Sequence, residues 1–287
     1  HLAMHPCGVI LSDKTLLDRT PVEQSGAKFP MSQFDKDDVE HMGFLKLDVL
    51  GIRMQSAMAY CVKEIKRVDQ VDIKLDEIAL DDKKTFSLIQ STKTLGCFQI
   101  ESPGQRELIG KFGPENFNDL IIDISLFRPG PVKSDMITPF LEVRHKRKPH
   151  PILHEKIDPI VKETSGVVVF HEQVIQLISV MTGCSFAEAD EKRRAMSSFD
   201  GQLEIEEWFI KEARKLKYPH ELIKHIWEIL KAFASFGFCK AHAGAFALPT
   251  YQSAFLKAHH PAAFLAGVLT HDPGMYPKRL IANDAKN

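Results

Sequence analysis

The spacing of apolar and polar positions changes near residue 51. Before it, short apolar runs separated by polar turns predict strands at 5–12, 29–34 and 43–51. After it, apolar residues recur at helical spacing from Met54 to about Val68, which predicts a helix. The chain therefore divides into a small sheet portion followed by a helical portion.

Helical spacing and capping residues continue to the end of the chain. They predict helices at 81–90, from Ser102, at 117–127, at 171–181, from Ser185, around Trp208 and Ile226, at 243–259 and after Pro261. Segments 95–100 and 167–170 are read as brief strands or extended pieces. We expect a mainly α fold with a small β portion (α+β), divided at 1–50 and 51–287.

The segment 43–51 has the pattern of a buried strand that carries one base and one acid. Side chains alternate across a strand, so Lys46 and Asp48 share one face, and Leu45, Leu47 and Val49 would pack on a core from the other. A carboxylate beside an ammonium suits a divalent metal and a phosphate. The alternative is an ordinary Lys–Asp pair on an edge strand.

A second group of charges lies on the helix that begins at Ser185. Lys192, Arg193 and Arg194 are consecutive and spread over part of the helix surface. Arginine matches pairs of phosphate oxygens, so Arg193 and Arg194 are candidates for binding a nucleoside triphosphate. A solvated run of surface charge remains the alternative.

Glycines, aromatic residues and two bases come together at 236–246. Lys240 and His242 flank the predicted start of a helix, where anions are favoured, and are candidates for nucleotide binding. The phenylalanines there either pack against bases or fill a core.

A basic segment at 144–150 follows the helix stop at Arg128-Pro-Gly-Pro131. Arg128, Arg144, Lys146 and Arg147 are candidate contacts for a phosphate backbone. A solvated helix end and linker would have the same composition.

Composition narrows the classes of function without selecting one. The chain has 287 residues, 44% hydrophobic and 26% charged, and a net charge of −1, so nucleic-acid binding would depend on local patches. Five scattered cysteines without a CxxC fit a reducing cytoplasm. No apolar run is long enough to cross a membrane. The chain opens at His1 without Met, and we expect it to be a piece of a longer one.

Several familiar catalytic and metal motifs are missing. His171-Glu172 is followed at the fifth position by Ile175 instead of a second histidine, so a zinc protease site is not formed. Cys239 and His242 have a possible ligand spacing, but no second pair lies at zinc-finger distance. Walker, GxGxxG and GxSxG sequences do not occur.

Taken in order, eight segments resemble the alpha subunit of bacterial DNA polymerase III, the family C replicative polymerases. These segments are HPCGV (5–9), QFDK (33–36), 43–51, FQIES (98–102), LFRPGP (126–131), HEQV (171–174), KRRAM (192–196) and FGFCKAH (236–242). Each is weak alone, whereas the ordered set is specific and covers essentially the whole chain.

The resemblance implies that short palm strands in 1–50 precede a large helical fingers domain in 51–287. It implies that Asp48 is the third of three acids that hold two Mg²⁺ ions, and that Lys46 contacts the nucleotide or the primer end. It also assigns Arg193 and Arg194 to the triphosphate, and Lys240 and His242 to the nucleotide or template region.

The implied function is template-dependent nucleotidyl transfer from a dNTP to a primer 3′-hydroxyl in bacterial replication or lesion bypass. The implied partners are primer-template DNA, dNTP, a sliding clamp and other replisome subunits. The clamp and the other subunits would bind through regions that this sequence does not contain. The family's Asp-x-Asp pair is also absent from it, so the fragment alone is expected to be inactive. The alternative is a non-catalytic helical module that binds DNA or protein.

Overall fold

A computed structural model describes residues 4–5, 7–49, 51–127, 136–151, 153–196, 199–233 and 238–286. The chain forms two compact units, His1–Arg53 and Met54–Asn287. The predicted class, mainly α with a small β portion, is confirmed.

The first unit contains two small antiparallel sheets and two short helices. Its elements are β1 (Gly8–Leu11), α1 (Leu16–Arg19), β2 (Val22–Gln24), β3 (Pro30–Ser32), α2 (Lys36–His41) and β4 (Leu45–Asp48). Strand β1 pairs with β4, with Gly8 opposite Asp48, and β2 pairs with β3. The sequence did not predict β2, α1 or α2, because each is short and polar.

The prediction that β4 is a buried strand is wrong. Leu45, Leu47 and Val49 are 59%, 40% and 61% exposed, and Val9 and Leu11 on β1 are similarly exposed. Opposite residues of an antiparallel pair share a face, so these five side chains form one apolar face. Alternation gave the two faces correctly, but β1 and β4 form a sheet of only two strands and the described residues leave this face uncovered.

The second unit is helical. Its helices are α3 (Arg53–Asp69), α4 (Lys83–Gln90), α5 (Pro103–Phe112), α6 (Phe117–Leu126), α7 (Ile137–Arg144), α8 (Asp158–Val161), α9 (His171–Thr182), α10 (Phe186–Ala195), α11 (Phe199–Lys215), α12 (His220–Phe233), α13 (Lys240–His259), α14 (Pro261–His271) and α15 (Lys278–Asp284). Short 3₁₀ turns lie at Leu75–Glu77 and Lys162–Thr164.

Two predicted extended segments do not form strands. Residues 95–100 make turns, in which Gly96 and Gln99 have positive φ angles of 79° and 62°. At 167–170 the extension is reduced to one parallel bridge between Phe170 and Phe238. Both segments are apolar because they are buried, and burial does not by itself require a strand.

Helix α13 is the central element of the second unit and packs against α4, α6 and α14. The buried Tyr251 hydroxyl donates to the carbonyl of Ala79 and accepts from the amide of Asp82, both within 3 Å. The Lys257 ammonium, 8% exposed, donates to the Leu95 carbonyl and to Asp284, each at 2.7 Å. Helices α8 to α12 together form a separate core, and its buried residues include Leu177, Phe209 and Trp227.

Close helix contact depends on one glycine. A Cβ at Gly267 of α14 would lie 2.5 Å from the backbone oxygen of Ala57 in α3. No side chain fits at that distance, so glycine allows the two backbones to approach.

No helix among the described residues is long and apolar enough to span a membrane.

All five cysteines are free thiols. Burial raises the pKa of the Cys61 and Cys97 thiols to about 12, so both are protonated and unreactive at neutral pH.

One carboxyl group is buried without a matching charge. Asp123 on α6 is fully buried, accepts a hydrogen bond from the Gln105 side chain at one oxygen, and has no partner among the described residues at the other. Burial raises the pKa of Asp123 well above its usual value, and Asp119 adds to the shift. The group is therefore held in its neutral form.

We expect Asp123→Asn to increase stability at pH 8 more than at pH 5. An aspartate with a raised folded-state pKa is protonated on folding, so its contribution is fully present below pH 3.8 and is lost as the pH rises toward the folded-state pKa. Asparagine is neutral throughout and can still accept from Gln105. Urea unfolding at several pH values measures the difference, with the exposed Asp76→Asn as control. A variant whose pH dependence equals that of the wild type would contradict the neutral Asp123.

Candidate functional site

Lys46 and Asp48 form a close pair on one face of β4. The Lys46 ammonium donates to both carboxylate oxygens of Asp48 at 2.7 Å. The Lys46 side chain is 34% exposed and that of Asp48 is 61% exposed, so a ligand can reach both. The hydrogen bond from Lys46 lowers the pKa of Asp48, and the carboxylate is ionised at neutral pH.

The turn before β4 is fixed by Arg19 of α1. Its guanidinium donates to the carbonyl of Met42 and lies over the Phe44 ring, 4.1 Å from the centroid. Gly43 between them has a φ of 68°, which glycine adopts without strain. These contacts set where β4 begins, and hence the direction of the Lys46 and Asp48 side chains.

The described residues supply one candidate ligand group for Mg²⁺ at this pair. Carboxylate oxygen is the ligand that Mg²⁺ prefers, and Asp48 is ionised and exposed. Within the described ranges, no three His, Cys, Asp or Glu side chains come together in a metal-binding group. Asp48 therefore fits as one contributor to a metal site and does not make a complete one.

Arg193 and Arg194 of α10 meet on one acid, Asp190. The Arg193 side chain donates from Nε to one oxygen of Asp190 at 2.9 Å, and its Nη2 forms an ion pair with the same oxygen at 2.8 Å. The Arg194 side chain donates from Nε and Nη2 to the other oxygen at 2.9 and 2.6 Å. Each guanidinium therefore keeps its Nη1 end free of Asp190. The two differ in exposure, at 18% for Arg193 and 73% for Arg194.

The third base of that run has a different environment. The Lys192 ammonium lies over the Trp208 ring, 5.0 Å from its centroid. The three consecutive charges are therefore divided into an arginine pair and a lysine packed on α11.

An acid of α9 occupies the start of α13. Both carboxylate oxygens of Glu172 accept from the backbone amide of Lys240 at 3.0 Å, and the Cys239 thiol donates to the same carboxylate at 3.3 Å. Partial burial raises the pKa of Glu172, but these donors outweigh it and the net pKa is lowered. The anion favoured at this helix start is thus supplied by the protein itself.

The side chains of Lys240 and His242 are placed differently. The Lys240 ammonium pairs with Glu163 at 2.6 Å and lies 5.4 Å from the Phe170 ring centroid. The exposed His242 ring lies between two phenylalanines, 5.1 Å from Phe238 and 4.5 Å from Phe246.

Phe246 also stacks on Phe98 at 5.6 Å. We call these four rings, Phe98, Phe246, His242 and Phe238, the aromatic row. Three of its members are only partly exposed and His242 is exposed, so the row has a face that a planar ligand could contact.

The candidate DNA contacts within the described residues have two different environments. Arg144 is bidentate to Asp119 at 3.0 and 2.6 Å and lies over the Phe112 ring. Lys146 and Arg147 are exposed, and their side chains form no ion pair with the described residues. Arg128 lies outside the described residues.

Sequence reasoning missed the acids that hold the candidate bases. Asp190 precedes Arg193 by three residues and Arg194 by four, which is the spacing of helical ion pairs and could have been noticed. Glu163 and Glu172 are about 70 residues from Lys240, and no local pattern connects them.

Comparison with known proteins identifies the family. The family model described as bacterial DNA polymerase III alpha subunit finger domain matches residues 54–217, more than half of the chain. A second, described as bacterial DNA polymerase III alpha NTPase domain, matches residues 1–51. The chain belongs to the bacterial DNA polymerase III alpha subunit family.

Named relatives of this family match over nearly the whole chain. The DNA polymerase III subunit alpha of Aquifex aeolicus is 34% identical over all of the chain and 25% of its own length. The Error-prone DNA polymerase of Pseudomonas fluorescens is 36% identical over all of the chain and 28% of its own. The Escherichia coli K12 alpha subunit is 37% identical over 93% of the chain and 24% of its own. The chain thus spans about a quarter of the length of these relatives.

We expect Glu172→Ala to destabilise the fold by about 1.5–3 kcal/mol, since it removes charge-assisted hydrogen bonds at the start of α13. Glu172→Gln keeps an acceptor without the charge and should lose less. Because the pKa of Glu172 is lowered on folding, this stabilisation is present above pH 4.5 and is lost as the pH falls through the folded-state pKa.

Urea unfolding measures these differences, and the exposed Glu228→Ala is the control. Equal stability of Glu172→Ala and the control would show that the contact contributes nothing.

Proposed function

We propose that this chain forms part of the active centre of a bacterial DNA-directed DNA polymerase, with 1–50 in the palm and 51–287 in the fingers. The observation that carries the proposal is the exposed Lys46–Asp48 pair, which lies in the part of the chain that matches the polymerase family. An ionised carboxylate and an ammonium on one strand face are suited to a metal and a phosphate.

In this proposal Asp48 holds Mg²⁺ together with acids from outside the described residues. Bound Mg²⁺ ions would activate the primer 3′-hydroxyl and neutralise the leaving pyrophosphate. Lys46 donates to a phosphate oxygen of the nucleotide or the primer end. Its present bond to Asp48 keeps the ammonium in place until a phosphate competes for it.

Arg193 and Arg194 would bind the β- and γ-phosphates of the dNTP. Their shared contact with Asp190 uses Nε and Nη2 of each guanidinium, so Asp190 leaves the Nη1 donors available for phosphate oxygens. Neutralising charge on the leaving pyrophosphate favours transfer.

Other parts of the proposal concern the polymer and its partners. His242 would contact the nucleotide or template through the aromatic row, and Lys240 would exchange Glu163 for a phosphate. The exposed Lys146 and Arg147 would follow the DNA backbone, and Arg128 and Arg144 are the other two candidate contacts. Primer-template DNA, a sliding clamp and other replisome subunits in the cytoplasm are the expected partners.

A second candidate is a non-catalytic helical module that binds DNA or protein. It is favoured by the presence of a single carboxylate at the candidate metal position and no metal-binding group among the described residues. A complete polymerase that binds dNTP only with Mg²⁺, and that loses this binding when Asp48 is replaced, would favour the enzyme over this module.

We expect Asp48→Asn in a complete polymerase that contains this segment to lower nucleotide addition at least about 10²-fold, because a charged group near the reacting phosphate is lost. Primer-template affinity should not change. Single-turnover primer extension and DNA-binding titrations measure the two quantities.

Asp18→Asn is the matched control, since Asp18 is an exposed acid of the same unit. Undiminished extension by Asp48→Asn would remove this residue from the active centre.

We expect Arg194→Ala to raise the KM for dNTP about tenfold with little change in kcat, a loss of about 1.4 kcal/mol of binding. Steady-state kinetics with varied dNTP test this, with the exposed Arg214→Ala as control. An unchanged KM together with weaker DNA binding would assign Arg194 to the template channel.

A further inference from the structure

His5 lies on the same face of the first sheet as Asp48. A Cβ built on Gly8 would meet His5 Nδ1 at 3.3 Å, and the Cβ and Cγ of His5 at 3.6 and 3.7 Å. The His5 side chain therefore lies over the side-chain position of Gly8. Gly8 is directly opposite Asp48 in the β1–β4 pair, and opposite residues share a face. Imidazole, ammonium and carboxylate thus share one surface.

The His5 ring is oriented by its own backbone. Its Nδ1 accepts a hydrogen bond from the amide of Cys7 at 3.2 Å. In the neutral ring the proton must then be on Nε2, which becomes the donor. The side chain is exposed, and Nε2 has no hydrogen-bond partner among the described residues.

The electrostatic effect of His5 agrees with this placement. Lys46 is the main cause of the lowered pKa of Asp48, and a protonated His5 would contribute in the same direction. The imidazole is therefore within electrostatic range of the carboxylate. A ligand held by Lys46 and Asp48 would lie on the sheet face that also carries His5.

We infer that His5 is a third ligand-contacting residue of this site and donates its Nε2 hydrogen to a phosphate oxygen. The inference rests on the proposed function and extends it to His5, a residue of the HPCGV segment to which the sequence assigned no role. The phosphate belongs either to the incoming dNTP or to the primer end, since both present the same oxygens.

Two substitutions separate the two sides of the ring. His5→Asn places an oxygen near the position of Nδ1 and can accept from Cys7, but it has no group at Nε2. His5→Gln places an amide donor near Nε2 and gives up the Cys7 contact. Both variants, with Asp48→Asn and wild type, are made in a complete polymerase that contains this segment.

The measurement is binding without turnover. With a dideoxy-terminated primer, Mg²⁺ and a matched dNTP, fluorescence titration gives the Kd for dNTP, and a separate titration gives the Kd for primer-template. We expect His5→Asn to weaken one of the two about 5–10-fold, the size of one lost hydrogen bond, and His5→Gln to remain within about threefold of wild type. The Kd that changes identifies the source of the phosphate.

Other results overturn the inference. If His5→Asn binds both ligands like wild type, Nε2 has no ligand. If His5→Gln loses as much as His5→Asn and both melt at lower temperature, the ring is only structural. In either case a large extension defect in Asp48→Asn leaves the proposed function standing, whereas normal extension by Asp48→Asn would remove the proposed function itself.

Discussion

The second unit depends on the bond between Glu172 and the start of α13. A helix start leaves amides without partners, and burying it against α9 without an acceptor would be costly. Glu172 provides that acceptor, and the adjacent bridge of Phe170 with Phe238 sets the register of the two segments. Once this end is fixed, the remaining length of α13 meets α4, α6 and α14, and its far end is held by Lys257 and Asp284. The negative charge of Glu172 therefore has a structural role, because it completes the start of α13.

The same contact shows where sequence reasoning succeeds and where it stops. Most helices of the second unit followed from apolar spacing and from caps such as Ser102 and Ser185, whose side chains do accept the expected amides, because these are local properties. Helices α7, α8 and α15 were not predicted. The faces of β4 also followed from alternation. Burial of β4 did not, since it depends on what covers the sheet. The acids that hold Lys240 are distant in sequence, and only the folded chain brings them together.

Five of the candidate bases share a further property that composition had hidden. Lys46, Arg193, Arg194, Lys240 and Arg144 each contact an acid of the chain. A net charge of −1 is therefore compatible with several positively charged groups that face solvent, because their counter-charges are local. An ion pair orders the long side chain of each of these bases, and a base that is already ordered would bind a ligand at a lower entropy cost.

These pairs differ in what a phosphate would have to displace. The Arg144 partner, Asp119, is 5% exposed, so breaking that pair would leave a buried charge, which is strongly unfavourable. Glu163 is 39% exposed and can be solvated when Lys240 leaves it. At Arg193 and Arg194 a phosphate could bind at Nη1 without displacing Asp190, which contacts only Nε and Nη2. Of these pairs, a phosphate proposed to bind would therefore disturb the arginine pair least, whereas Arg144 would contact DNA only through donors that stay clear of Asp119, with which it holds α6 and α7 together.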